Sequence, residues 1–146
     1  EMGVIPVVNE NDSVCIEEIE SEHKVFGDND TLSAAVAVLV SADILVILSD
    51  IDGLYTGDPR TDKNAVLIPV VENLGDDATC AFTAGGAGTD FGTGGMSTKI
   101  TAARIATKNG IDTVIMSGAH PERLYGVLDG EIYGTLFKKC ERSERT

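Results

Sequence analysis

Residues 44–48 read Ile-Leu-Val-Ile-Leu, and this run is bounded by Asp43 on one side and by Ser49 and Asp50 on the other. A short run that is apolar at every position is typical of a strand covered on both faces, as in parallel sheets. Along the chain, segments of strand length alternate with segments of helix length, which favours parallel strands joined by helices. The sequence therefore predicts an α/β fold, an αβα sandwich around a mainly parallel sheet.

The predicted elements follow from apolar runs, helical spacing and the Gly and Asp residues that end or begin helices. We predict strands at residues 4–8, 44–48, 65–71, 112–116 and 135–137, and helices at 31–40, 96–109 and 122–128. Residues 13–26 are predicted to form a surface hairpin, and 72–82 a short helix or a turn. Gly110 is the predicted stop signal of the second long helix.

Polar residues cluster where predicted strands end or helices begin, at 9–12, 28–30 and 49–60. Ligands of open α/β sheets bind beyond the carboxyl ends of the strands, so we expect these loops to share one sheet edge with the Gly-rich loop. Each cluster also has an ordinary interpretation as a solvated turn, and Asp30 alone is explained as a helix N-cap.

Residues 92–99 read Gly-Thr-Gly-Gly-Met-Ser-Thr-Lys and directly precede helical sequence. Glycines let the backbone approach a ligand, and a helix start offers unpaired N–H groups beside the hydroxyls and the ammonium of the last three residues. The stretch is neither a P-loop nor a dinucleotide fingerprint, because Thr98 and Ser97 stand where those motifs need Gly. Taken alone, it is either a different phosphate loop or a flexible connector.

The net charge of −13, from 24 acidic and 11 basic residues, disfavours a surface for nucleic acid or anionic membrane. Any phosphate site must therefore be local. Cys15, Cys80 and Cys140 are odd in number and widely spaced, which favours reduced thiols over a disulfide framework or a zinc site. No apolar run approaches the roughly 18 residues of a membrane span, and no leader opens the chain, so we expect a cytoplasmic protein.

Five blocks, in this order, resemble the glutamate 5-kinases of the amino acid kinase family. They are IPVVNEND (5–12), GDND (27–30), LSDIDGLYTGDPR (48–60), GTGGMSTK (92–99) and GTLF (134–137). The resemblance covers nearly the whole chain. The GDND and GTGGMSTK blocks favour the enzymes that act on glutamate over those that act on aspartate, carbamate or uridylate.

The resemblance implies transfer of the γ-phosphoryl group of ATP, with Mg²⁺, to the side-chain carboxylate of glutamate, the first step towards proline. It implies catalytic roles for Lys99 at the phosphates and for Asp30, which would orient lysines. Glutamate would be bound by Asn9, Asp12, Asp28 and Asn29. The nucleotide would be bound by Ser49, Asp50, Gly53, Tyr55, Asp58, Thr93, Gly94, Gly95, Met96, Ser97, Thr98 and Lys99.

Members of this family begin earlier, with a glycine turn that carries a second lysine and with a further substrate loop. We therefore expect residues 1–137 to be a partial amino acid kinase domain that lacks its N-terminal part, followed by a charged tail at 138–146. The resemblance also implies a homo-oligomer and proline as a feedback inhibitor, and many members carry a C-terminal PUA domain. Two alternatives stay open: a non-catalytic module that binds nucleotide or proline, and a structural fragment stabilised by association.

Overall fold

The computed structural model describes residues 5–7, 29–74 and 95–140. Their helices are α1 (Asn29–Leu39), α2 (Gly95–Lys108) and the short α3 (Leu124–Leu128), which follows a 3₁₀ turn at Pro121–Arg123. Their strands are β1 (Ile44–Ser49), β2 (Val70–Val71), β3 (Asp112–Ser117) and β4 (Thr135–Phe137). None of the helices in these ranges has the length and apolar character needed to cross a membrane.

The four strands form one mixed sheet in the order β1-β3-β4-β2. β1 and β3 run parallel over their full lengths, with Ile44 opposite Asp112 and Ser49 opposite Ser117. β2 and β4 are also parallel, whereas β3 and β4 are antiparallel. Two of the three pairings between these strands are thus parallel, which agrees with the prediction of a mainly parallel sheet.

Helices cover both faces of the sheet. On one face, α1 and α2 pack over a core that includes Leu45, Ile47, Ile115 and Phe137. The helices contribute mostly alanines to this core, so their backbones can approach each other and the sheet closely; these alanines are Ala34, Ala37, Ala102, Ala103 and Ala106. On the other face, Val127 of α3 packs against Val114 and Met116 of β3. The αβα sandwich is confirmed.

Most predicted elements agree with the structure to within two residues. The helices predicted at 31–40 and 96–109 occur as Asn29–Leu39 and Gly95–Lys108, and the strand predicted at 135–137 is unchanged. Gly110 has φ = 83°, a left-handed conformation that ends α2 as predicted. Lys138 and Cys140, which the sequence assigns to the tail, donate backbone hydrogen bonds to Val71 and Thr107.

The strand predicted at 65–71 is too long, because only Val70–Val71 joins the sheet. The residues before it pair with the loop after β1 instead. The N–H of Ile68 donates to Leu54, that of Thr56 donates to Val66, and Tyr55 and Leu67 form an isolated bridge. The helix predicted at 122–128 is also divided, since Pro121 begins a 3₁₀ turn before α3.

The buried strand predicted at residues 4–8 is wrong for its described part. Residues 5–7 form no strand, and Ile5 and Val7 are 92% and 95% exposed. An apolar run becomes a buried strand only where a neighbouring strand satisfies its backbone, and none of the four strands of this sheet pairs with it. The predictions for residues 13–26 and 75–82 lie outside the described residues.

Thr135 fastens the loop after β1 to the sheet. Its buried hydroxyl accepts a hydrogen bond from the N–H of Leu54 at 2.8 Å and donates one to the carbonyl of Ile68 at 2.7 Å. Gly53 precedes this contact, and a Cβ added there would lie 2.6 Å from Thr135 Oγ1. The loop can therefore lie this close to β4 only with Gly at position 53.

We expect Thr135→Val to lower the free energy of unfolding by about 1–3 kcal/mol, because the buried N–H of Leu54 loses its acceptor. Thr113→Val is a matched control. Thr113 is equally buried on β3, and its hydroxyl has no hydrogen-bond partner among the described residues. Urea unfolding of both variants tests the expectation, and equal losses of stability would contradict it.

Candidate functional site

The carboxyl ends of β1 and β3 lie side by side, and the loop after β1 meets the start of α2 there. Ser49 and Ser117 are opposite each other, and the N–H of Gly118 donates to the carbonyl of Ser49 at 2.8 Å. A cavity of about 170 Å³ opens at this edge. It is lined by Ser49, Asp50, Ile51, Gly53, Leu54, Tyr55, Gly57, Asp58, Pro59, Arg60, Gly95, Met96 and Lys99.

An ion pair between Asp30 and Lys99 joins the starts of the two long helices. Lys99 Nζ lies 2.9 Å from Asp30 Oδ2, and their side chains are 16% and 19% exposed. Asp30 lies in the first turn of α1, where the helix dipole stabilises an anion. This arrangement brings the Lys99 ammonium to the cavity with its position set by a neighbouring carboxylate.

Thr98 contacts the same carboxylate oxygen as Lys99. Its Oγ1 lies 2.8 Å from Asp30 Oδ2 and 2.9 Å from the carbonyl oxygen of Gly95. Two consecutive residues of α2 therefore converge on one acid of α1.

The loop after β1 is fastened by its own acidic residues. The Asp58 carboxylate accepts from the N–H of Arg60 at 2.9 Å, and the Asp58 carbonyl accepts from two later N–H groups of the chain. Ser49 Oγ donates to Asp50 at 3.2 Å, and the Arg60 guanidinium lies 3.7 Å from Asp50. That last pair is largely exposed to solvent, so it orients Arg60 more than it stabilises the fold.

Tyr55 contributes an aromatic ring and a hydroxyl group to the cavity wall. The hydroxyl donates to Asp52 Oδ2 at 3.3 Å. Burial raises the pKa of Tyr55, and the negative charge and hydrogen bond of Asp52 raise it further. Tyr55 is therefore a neutral phenol at neutral pH.

The structure brings together most of the described residues that were predicted to bind the nucleotide. Eight of the predicted set line the cavity: Ser49, Asp50, Gly53, Tyr55, Asp58, Gly95, Met96 and Lys99. Ser97 is exposed, and the hydroxyl of Thr98 contacts Asp30. Asp30 contacts Lys99, whereas Asn29 is exposed at the first position of α1. Asn9, Asp12, Asp28, Thr93 and Gly94 lie outside the described residues.

Sequence reasoning missed Arg60 as a residue of the site. Arg60 is a second cationic residue of the cavity wall, in addition to Lys99. The signal was present, because Asp58, Pro59 and Arg60 end the loop block that carries the resemblance. An aromatic ring, apolar side chains, two cations and a helix start together suit a ligand with a flat apolar part and a negatively charged part.

The model of the amino acid kinase family matches residues 1–117. A glutamate 5-kinase of Clostridium acetobutylicum is 54% identical over 135 residues, which are 92% of this chain and 48% of that protein. A glutamate 5-kinase of Deinococcus radiodurans is 57% identical over 135 residues, which are 92% of this chain and 35% of that protein. The chain thus spans about half or less of the length of these curated relatives.

Solved structures of kinases share the fold. Carbamate kinase from Giardia lamblia bound to AMP-PNP matches with a TM-score of 0.59 at 22% identity, over 77% of this chain and 36% of that chain. Uridylate kinase from Archaeoglobus fulgidus matches with a TM-score of 0.53 at 24% identity, over 74% of this chain and 45% of that chain. At these identities the likeness shows a common fold and leaves the substrate open.

Asp52→Asn should lower the pKa of Tyr55, because it removes the negative charge beside the phenol. Because folding raises the pKa of this phenol, its protonated form adds to the stability of the folded state at pH values below the pKa in the unfolded chain. That contribution is lost as the pH rises through the pKa in the folded protein. Phenolate absorbance measured against pH tests the shift, with Tyr55→Phe identifying the signal of this residue. An unchanged titration in Asp52→Asn would contradict the contact.

Proposed function

The chain belongs to the amino acid kinase family, and from this premise we propose that it supplies the ATP-binding part of an enzyme that phosphorylates glutamate. The product would be glutamyl 5-phosphate, formed on the side-chain carboxylate. The observation that carries the proposal is Lys99, a residue of the cavity wall in the first turns of α2 whose ammonium pairs with Asp30. Curated relatives at 51–57% identity that bear the name glutamate 5-kinase support the choice of substrate.

In this proposal the cavity holds ATP with its phosphates towards Lys99. Gly95 and Met96 form the first turn of α2, where backbone N–H groups and the helix dipole favour anions. Tyr55 and Ile51, which are half-buried, offer the apolar surface that a purine ring requires. Ser49, Asp50, Gly53 and Asp58 complete the nucleotide contacts, and the loop at 92–99 supplies Thr93, Gly94 and Ser97.

The chemistry requires no general base, because a glutamate carboxylate with an ordinary pKa of about 4.3 is ionised at neutral pH. One carboxylate oxygen forms a bond to the γ-phosphorus as the bond from that phosphorus to the bridging oxygen breaks, and ADP leaves. Alignment and charge neutralisation therefore dominate the catalysis. Lys99 has three N–H donors; one points to Asp30, and in this proposal the other two contact the transferred phosphoryl group.

Mg²⁺ is part of the proposal as the ion that accompanies ATP. The described ranges contain no group of three or more His, Cys, Asp or Glu side chains that could hold a metal ion. Mg²⁺ keeps several waters and is bound mainly by substrate phosphates with one or two carboxylates. Asp50 and Asp58 are the acids of the cavity wall that could contact those waters. Such an ion would neutralise charge on the phosphates.

Glutamate would bind beside the start of α1. Asn29 is exposed there, next to Asp30, and its amide can pair with the ammonium or carboxylate groups of the amino acid. Asn9, Asp12 and Asp28 belong to the same proposed substrate site. We extend the proposal to the first step of proline biosynthesis in the cytoplasm, with a homo-oligomeric enzyme that proline inhibits.

The product of the complete open reading frame that contains this sequence is the protein to assay. We expect it to form glutamyl hydroxamate in a reaction that needs ATP, glutamate and hydroxylamine. Nucleotide binding without turnover would contradict the proposal and favour a non-catalytic module.

In that protein, Lys99→Ala should lower kcat by at least about 10²-fold, on the scale of losing one preorganised electrostatic stabiliser. Lys63→Ala is the matched control, because Lys63 is exposed and lies outside the residues that line the cavity. An unchanged kcat in Lys99→Ala would remove Lys99 from the catalytic machinery.

Asn29→Ala should raise KM for glutamate far more than KM for ATP, because the amide belongs to the proposed amino acid site. Initial rates measured with each substrate varied in turn separate the two constants. Similar increases in both constants would refute the assignment of Asn29 to glutamate.

A further inference from the structure

Thr98 and Lys99 are consecutive residues of α2 that both donate to Asp30 Oδ2. The donor–acceptor distances are 2.8 Å for the Thr98 hydroxyl and 2.9 Å for the Lys99 ammonium. The single oxygen that fixes Lys99 is thus itself held by a second donor from the same helix.

The Thr98 hydroxyl contacts other groups of the protein. Gly95, Met96 and Lys99 line the cavity, but Thr98 does not. It is half-buried between the starts of α1 and α2, whose alanine-rich faces share one core. This location favours a role for its hydroxyl inside the protein over a contact with the nucleotide.

The Thr98 hydroxyl can donate one hydrogen bond at a time, and the Asp30 carboxylate is its favoured acceptor. Thr98 has one hydroxyl proton and two acceptors within reach, Asp30 Oδ2 and the carbonyl oxygen of Gly95 at 2.9 Å. A carboxylate is the stronger acceptor because the hydrogen bond is assisted by its charge. Without the Thr98 hydroxyl, the carboxylate loses one of the contacts that hold it, so it can rotate more freely about its last torsion and the ammonium moves with it.

We infer that Thr98 is a positioning residue, whose hydroxyl fixes the Asp30 carboxylate and thereby the Lys99 ammonium. The inference rests on the proposed function, because its purpose is to align Lys99 with the transferred phosphoryl group. A misplacement of about 1 Å can cost on the order of 10²-fold in rate. Binding of ATP in the ground state depends less on that alignment, so the effect falls on kcat.

Three variants of the open-reading-frame product test the inference. Thr98→Val keeps the shape and removes the hydroxyl; it should lower kcat by about 10-fold or more, with KM for ATP changed by less than about twofold. Thr98→Ser keeps the hydroxyl and should retain kcat to within about threefold. Thr101→Val is the matched control: Thr101 is exposed on the same helix, and its hydroxyl donates to Ser97 O at 2.9 Å. It should leave both constants unchanged.

A rise in KM for ATP with kcat unchanged would identify Thr98 as a nucleotide ligand and overturn the inference. The inference is also overturned if Thr98→Val has no effect, or if Thr98→Ser is impaired as strongly as Thr98→Val. Absence of glutamate-dependent turnover in the unsubstituted protein would refute the proposed function instead. Crystal structures then decide the positioning role: a Lys99–Asp30 pair that separates in Thr98→Val supports it, and a pair that stays at 2.9 Å overturns it.

Discussion

The ion pair between Asp30 and Lys99 depends on the packing of two helices, and it holds the lysine of the candidate site in place. Its two residues are 69 positions apart, and they meet because α1 and α2 pack through small side chains on one face of the sheet. Both side chains are largely shielded from water, so removing either one would leave the other charge with less compensation. Lys99 also lines the cavity, so the pair holds a cationic residue at the candidate site.

A second set of contacts holds the loop that forms the opposite wall of the cavity. Thr135 of β4 accepts from Leu54, and Gly53 permits the close approach. The acids of the loop then bond to the loop itself, with Asp58 accepting from Arg60. The cavity therefore lies between two supports, the helix pair with its charges on one side and the sheet with its threonine hydroxyl on the other.

The sequence predicted the parts of the structure that depend on local patterns. Apolar runs identified β1 and β4, and Gly110 marked a helix end. The expectation that Asp30 is an N-cap was wrong, because α1 begins one residue earlier and Asp30 lies in its first turn. The rule that ligands bind at the carboxyl ends of strands correctly brought the 49–60 loop and the start of α2 to one edge. The five blocks of resemblance correctly indicated the family.

Features that depend on the relative placement of elements could not be predicted. The shared oxygen of Asp30 depends on how α1 and α2 rotate against each other, which no spacing within either helix specifies. Residues 65–69 are as apolar as a strand, yet Leu67 and Ile68 pair with the loop. Ile5 and Val7 are exposed although they are apolar, because burial also requires a neighbouring strand.

A double-mutant cycle of Asp30→Ala and Lys99→Ala, measured as kcat of the open-reading-frame product, tests the central claim most directly. If Asp30 acts by fixing Lys99, the two residues work as a unit, and the double variant should be hardly slower than the Lys99→Ala variant. Losses in log kcat that simply add would show that the two residues act independently, and would contradict the account.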